Sequence, residues 1–282
     1  MTTTPSPSTL IHPRQTTVDG LSVRFAEGGT GADDALLLNP WPESVFAYEQ
    51  TWSLLGREAH LVAVDLPGFG GSERRDALMA PQAMGEFVVR LADAFGLENP
   101  HIVGPDIGTS AALFAAAAQP GRFRSLVIGS GGAAVPLDLG GVLREWVETT
   151  DLEPYRRMDG RQIVAAAIGS IQGYTPSPGI LEDYLASYEG DRFVESMNYV
   201  RAYPEQLPVL SGLLPSIETP VRIVAGSKDE VVPASNAEFL AARLPHARAD
   251  YIADAGHFCW EEKPAEYAAL VTDWWRQSRP SA

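Results

Sequence analysis

The sequence predicts an α/β protein: a mostly parallel twisted sheet, helices on both of its faces, and a helical cap inserted between two strands. Three observations predict it. Short apolar runs alternate with helix-length segments along the first half of the chain. Strand signals then vanish from residue 132 to about residue 216 and resume at Val221. Residues 101–119, HIVGPDIGTSAALFAAAAQ, read as strand, tight turn and Ala-rich helix with glycines on both sides of the apex, the pattern of a nucleophile elbow.

Taken in order, Thr16 to Val18 and Leu21 to Phe25 flank Asp19-Gly20, a hairpin signal with a type I′ turn. A loop leads to a buried strand at residues 35–38, which ends at Asn39-Pro40-Trp41-Pro42. Residues 44–55 predict a helix, 60–64 a strand, and 82–95 a helix leading into the elbow strand. A strand at 125–128 follows the elbow helix. In the cap, helical stretches alternate with Pro- and Gly-containing breaks such as residues 174–179. Strands at 221–225 and 251–252 and a closing helix at 265–275 complete the chain. The predicted organisation is a disordered tail over 1–13, a core over 14–131 and 217–282, and a cap over 132–216.

Composition narrows the class. A chain of 282 residues, 45% hydrophobic and 20% charged, can bury a sizeable core. Its formal charge of −15 argues against nucleic acid and anionic membrane surfaces as partners. The single cysteine, Cys259, excludes an intramolecular disulfide framework and a Cys-based zinc site. The Thr/Ser/Pro-rich start lacks the basic and apolar parts of a signal peptide, and no apolar run reaches membrane-spanning length. A cytosolic protein is expected, needing neither metal nor cofactor. A homodimer is left open.

At the elbow apex stands Asp106. A residue there is held in a strained, left-handed-like backbone, so its neighbours must be small, and Gly104 and Gly108 are. A carboxylate nucleophile attacks carbon and makes an alkyl ester that water must then hydrolyse. On this window alone, an Asp that merely caps the following helix fits equally well.

Three further loops at carboxyl ends of predicted strands carry reactive residues: Asn39 to Pro42, Gly226-Ser227-Lys228-Asp229-Glu230, and Asp254-Ala255-Gly256-His257-Phe258. The order nucleophile, acid, histidine suits a triad on this kind of sheet. From Thr16 to Trp275 the sequence resembles the α/β-hydrolase superfamily, and among its branches the lid-bearing members with an aspartate nucleophile, the epoxide hydrolases and the haloalkane or haloacetate dehalogenases. Asn39-Pro40-Trp41-Pro42-Glu43-Ser44 is similar to their His-Gly-Trp-Pro-Glu-Ser loop, and Asp65 to Ser72 to their Asp-x-Pro-Gly-x-Gly-x-Ser loop. The resemblance implies that Asp106 attacks carbon, His257 activates water on the ester, and Asp229 orients His257, with Glu230 in reserve. It implies an oxyanion hole from the N–H groups of Trp41 and Ile107. Asp65 and Ser72 are expected to hold their loop together. His12, His60, His101 and His246, and Ser110 and Ser130, fit catalytic roles worse.

Two departures bear on substrate. Asn39-Pro40 replaces His-Gly and removes one backbone donor. Ile107 stands where haloalkane dehalogenases carry a halide-binding Trp. Epoxide opening needs an acid, which the epoxide hydrolases take from lid tyrosines. Asn198-Tyr199-Val200-Arg201 is similar to their Asn-Trp-Tyr-Arg segment but has Val200 at the acid position. Tyr199, Tyr203 and Trp146 are the expected pocket residues, each weighed against plain packing. The favoured reading is epoxide hydrolysis of a small apolar organic substrate. The alternatives are a haloacid or haloalkane dehalogenase, with Arg201 as one halide donor, and a non-hydrolytic lyase, cyclase, oxygenase or receptor on the same fold.

Overall fold

The computed structural model describes residues 10–278. The strands are β1 Arg14–Val18, β2 Leu21–Gly28, β3 Asp33–Leu38, β4 Ala59–Val64, β5 His101–Pro105, β6 Ser125–Gly129, β7 Val221–Gly226 and β8 Ala247–Ile252. The helices of the first half are α1 Trp52–Leu55, α2 Pro81–Ala94 and α3 Ile107–Ala118. Between β6 and β7 lie α4 Gly141–Glu148, α5 Glu153–Arg156, α6 Gly160–Ile168, α7 Pro178–Ser187, α8 Arg192–Arg201 and α9 Tyr203–Leu213. The chain closes with α10 Ser235–Ala241, α11 Cys259–Glu262 and α12 Pro264–Gln277.

One sheet runs β1-β2-β4-β3-β5-β6-β7-β8. The two pairings of β2 are antiparallel and the rest parallel. The hairpin forms as expected: Asp19 and Gly20 both take positive φ, 50° and 75°, as a type I′ turn requires. Central strands such as β5 and β6 are buried at every residue, because helices cover both faces. His101 of β5 stacks on Trp275 of α12 on one face, while α2 and α3 pack on the other side of the sheet. Their crossing is close at Gly85, where a Cβ would lie 2.5 Å from Cβ of Phe114.

Residues 44–55 do not form one helix. A 3₁₀ turn, Val45–Tyr48, precedes the single turn of α1. The buried Tyr48 hydroxyl donates to the Leu38 carbonyl at 2.6 Å, and Thr51 Oγ1 returns to the Tyr48 carbonyl at 3.1 Å. These local bonds divert the backbone from continuous helix. The tail expected over 1–13 falls largely outside the described residues. Within them, Ile11 is buried, and the N–H groups of Leu10 and Ile11 donate to the Glu49 carboxylate, so this end is docked.

Residues 132–216 contain no strand, and their helices lie over the carboxyl end of the sheet. A charged knot fixes them there. Arg24 of β2 donates to Asp65 and to both oxygens of Asp183 in α7, and Ser44 Oγ donates to Asp183 at 2.7 Å. Asp65 also accepts from the N–H groups of Val45 and Gly71, and Ser72 Oγ donates to the Asp65 carbonyl. Asp65 and Ser72 thus hold their loop, as expected.

Candidate active site

The elbow has the strained geometry its sequence requires. Asp106 sits at φ 52°, ψ −121°, a region costing about 1–3 kcal/mol for a residue with a Cβ. A Cβ on Gly104 would stand 2.8 Å from the Gly108 carbonyl oxygen, so strand and helix approach only because residue 104 is glycine. The Asp106 side chain makes no capping hydrogen bond into α3, which removes the helix-cap alternative.

Its carboxylate is held elsewhere. Oδ2 accepts from the Trp41 N–H at 2.7 Å, and the Ile107 N–H adds a second backbone donor. Pro40 therefore does not cost the loop its function: Asn39 Oδ1 accepts from the Leu66 N–H at 2.8 Å and fixes the approach to Trp41. The second oxygen, Oδ1, lies 3.8 Å from His257 Nε2. His257 Nδ1 meets Asp229 Oδ2 at 3.0 Å, and Asp229 Oδ1 accepts from the N–H groups of Val231 and Val232 at 3.0 and 2.8 Å. A proton on Nδ1, directed at Asp229, leaves Nε2 as the base. Three loops from the ends of β5, β7 and β8 thus converge, with His257 hydrogen-bonded to Asp229 and its other ring nitrogen 3.8 Å from Asp106. Glu230 is exposed and makes no contact with the histidine.

Electrostatics follow from burial. Desolvation pushes the Asp106 carboxyl up to about 6, against the opposing pull of His257 and the two backbone donors. Burial alone would lower the His257 imidazole, but Asp229 and Asp106 outweigh it and raise the group above its ordinary value. At neutral pH the Asp106 carboxyl is ionised.

The other histidines play no part. His60 pairs with Asp34, His246 with Glu218, His101 with Ser125, and His12 is exposed. Ser110 Oγ bonds to Tyr199, and Ser130, at the end of β6, has no helix to carry it into an elbow. Among the described residues no group of three or more His, Cys, Asp or Glu is placed to hold a metal ion. Nor is any helix among them long and apolar enough to cross a membrane.

A cavity of about 960 Å³ opens over Asp106 and His257. Trp146 lines it, as expected, edge-on to Trp41 at 5.3 Å. Tyr199 and Tyr203 do not. The Tyr199 hydroxyl donates to the Ile107 carbonyl at 3.0 Å behind the elbow, and its ring packs between Phe69 and Tyr203. Both are fully buried supports of the cap: Tyr199 of α8 bonds to Ile107 and Ser110 of α3, and Tyr203, at the start of α9, packs edge-on to it. Arg201 is also spent, bonding to the Thr149 carbonyl. The phenol on the cavity wall is instead Tyr155, which donates to Glu145 at 2.5 Å. Sequence reading also missed Ser196, whose Oγ accepts from Trp41 Nε1 at 2.8 Å and orients that ring. No local signal marks Ser196; only the docking of α8 does.

Comparison with known proteins agrees with this architecture. The family model of the alpha/beta hydrolase fold matches residues 36–264. The chain is 30% identical over 264 residues to the dihydrolipoyllysine-residue acetyltransferase component of the acetoin cleaving system of Cupriavidus necator, covering 90% of this chain and 66% of that one. It is 27% identical over 271 residues to 2-hydroxy-6-oxononadienedioate/2-hydroxy-6-oxononatrienedioate hydrolase 2 of Pseudomonas putida, covering 90% and 91%. The crystal structure of haloalkane dehalogenase DbeA from Bradyrhizobium elkani superposes with a TM-score of 0.80, over 95% of this chain and 98% of that one. At 21% identity that superposition speaks for the fold alone.

Proposed function

The chain belongs to the α/β-hydrolase fold family, and from that premise we propose that it is a hydrolase whose Asp106 forms a covalent alkyl ester, with a bulky, mostly apolar epoxide as substrate. The carrying observation is the division of labour between the two Asp106 oxygens. Oδ2 is held by the Trp41 N–H, while Oδ1 faces His257.

In this reading Oδ1 attacks an epoxide carbon, the ring C–O bond breaks, and the departing oxygen takes one proton. Tyr155 is the donor we assign to it. Its bond to Glu145 pushes the phenol up to about 12, so it holds its proton at neutral pH. His257 Nε2 then takes a proton from water, whose oxygen attacks Cγ of the ester. The negative charge that develops on Oδ2 meets the N–H groups of Trp41 and Ile107. On collapse His257 returns its proton to the leaving ester oxygen, so the diol departs. The proton of the new Asp106 carboxylic acid passes through water to the Tyr155 phenolate, restoring both groups.

The cavity favours a bulky substrate, since about 960 Å³ is at the upper end for small-molecule sites. A haloacid would require a cation beside the reacting carbon. The residue next to Asp106 is Ile107, and Arg157, on the cavity wall, is exposed. One observation favours dehalogenation of a neutral halide as the second reading: the Trp146 indole N–H makes no hydrogen bond among the described residues and lies on the cavity wall. The setting in this proposal is cytosolic.

His257→Gln tests it, because the ester should form and persist. After incubation with a panel of epoxides and halides, an intact-mass gain equal to the whole epoxide supports the first reading. A gain equal to the halide less hydrogen halide supports the second. Ester-free protein alongside wild-type turnover of the same compound would refute the covalent route.

A further inference from the structure

Behind the reacting carboxylate lies a second acid pair that this chemistry does not use. Glu43, two residues beyond Trp41, and Glu261, in α11, are 0% and 1% exposed. Glu43 Oε2 accepts from Trp260 Nε1 at 3.1 Å, and Glu261 Oε1 accepts from the Tyr184 hydroxyl at 3.3 Å. The remaining oxygens, Glu43 Oε1 and Glu261 Oε2, are buried with no donor in the protein. The two carboxyl groups are within hydrogen-bonding reach of each other. The titratable groups that act on them include Asp106, Glu262, Tyr48, Tyr174, Tyr184 and Tyr188, all acids, and among the described residues no ion pair joins either carboxyl to a cation.

Two adjacent buried carboxylates would repel in a medium that screens poorly, and each would leave an oxygen unpaired. One proton between them removes one charge and gives both orphan oxygens a partner. We propose that Glu43 and Glu261 hold one proton in common, and that this acid–carboxylate pair is a positioning element bracing the loop that presents the Trp41 N–H against the loop that carries His257.

The surrounding bonds give the brace its reach. Trp260, bound to Glu43, sets its ring edge-on to His257 at 5.9 Å between centroids. Gln50 Nε2 donates to the Glu261 carbonyl at 2.9 Å, and the cap reaches the same spot through the Tyr188 hydroxyl, which donates to the Glu43 carbonyl at 3.1 Å. Burial pushes both carboxyls above the ordinary carboxylate range, so the pair keeps its proton at neutral pH. Removing the proton would separate the two loops and draw the Trp41 N–H away from Asp106.

The test requires no substrate, so it succeeds or fails independently of the epoxide reading. Infrared difference spectra at pH 7.5 should contain a protonated-carboxyl stretch that is lost in both Glu43→Gln and Glu261→Gln, whose amides supply the missing donor. Amide exchange completes it. Glu261→Ala should expose the Trp41 N–H at least tenfold while Ile102 in the sheet stays protected, whereas Glu261→Gln should keep Trp41 within about twofold of wild type. A purely structural role would lower both amides together. Absence of the band in wild type, its survival in Glu261→Gln, or equal Trp41 exchange in the Ala and Gln variants would each overturn the proposal. Should Glu261→Ala not fold, Glu43→Ala takes its place in the exchange arm, and the infrared arm stands unaltered.

Discussion

Replacing Asp106 by Asn separates the cost of burying its carboxylate from the chemistry proposed for it. The carboxyl is 5% exposed and moves from 3.8 to about 6 on folding, chiefly through desolvation. At about 1.4 kcal/mol per pH unit, that shift is about 3 kcal/mol. For a carboxyl whose folded value is raised, the penalty is absent below the unfolded value of 3.8. It grows as pH rises toward 6 and is constant above. Asn is isosteric and uncharged, so its amide oxygen can still accept from the Trp41 N–H without the penalty. Urea unfolding at pH 8 should therefore find Asp106→Asn more stable than wild type by about 3 kcal/mol. The gain should fade as pH drops toward 4, and turnover should be lost. A gain independent of pH, or a loss of stability at pH 8, would refute the electrostatic reasoning. Wild-type turnover in a variant verified by mass would refute the nucleophile.

Other expectations follow from the same geometry. Asp106 must be ionised to attack and its carboxyl is pushed up to about 6 by burial, so the acidic limb of kcat/KM, which reports the free enzyme up to ester formation, should lie near pH 6; a limb at the ordinary carboxylate value would contradict that desolvation. By the same linkage, the favourable charge on His257 supports the fold below 6.5 and is lost as pH rises through its folded value. Asp229→Asn should lower turnover by about 10³–10⁴-fold with ester accumulating, as loss of an orienting carboxylate does in comparable triads, which rapid-quench mass analysis can follow. Arg24→Met removes the partner of the fully buried Asp65 and should cost about 3–5 kcal/mol in urea unfolding. Tyr155→Phe should slow ester formation and leave ester hydrolysis unchanged, measured by single-turnover kinetics.

The elbow at Asp106 and the loops that bring Asp229 and His257 beside it were legible in the sequence because each rests on local backbone chemistry. Positive φ at residue 106 demands small neighbours, and reactive residues follow strands that are themselves apolar runs. The alternation of strands and helices, the strand-free stretch over 132–216 and the role of Asp65 in its loop follow from the same short-range signals. The 3₁₀ turn at Val45–Tyr48 escaped them, because a buried Tyr48 hydroxyl bonded to Leu38 decides it and no local propensity does.

Which side chains face the cavity is a different kind of fact. Tyr199, in a lid motif, and Tyr203 beside it look like pocket residues, yet α8 and α9 dock with Tyr199 against Phe69 and α3 and Tyr203 packed on Tyr199. Tyr155, in a single helical turn with little pattern of its own, reaches the wall instead. Glu43 is visible in a motif, but its partner Glu261 lies 218 positions away, and nothing in either neighbourhood announces the other. The sequence determined the elbow at Asp106 and the loops that carry Asp229 and His257, since their conformations are set within a few residues by sterics and hydrogen bonding. Only the tertiary structure decided what surrounds them, because the rotation of a cap helix about its axis depends on packing against distant parts of the chain.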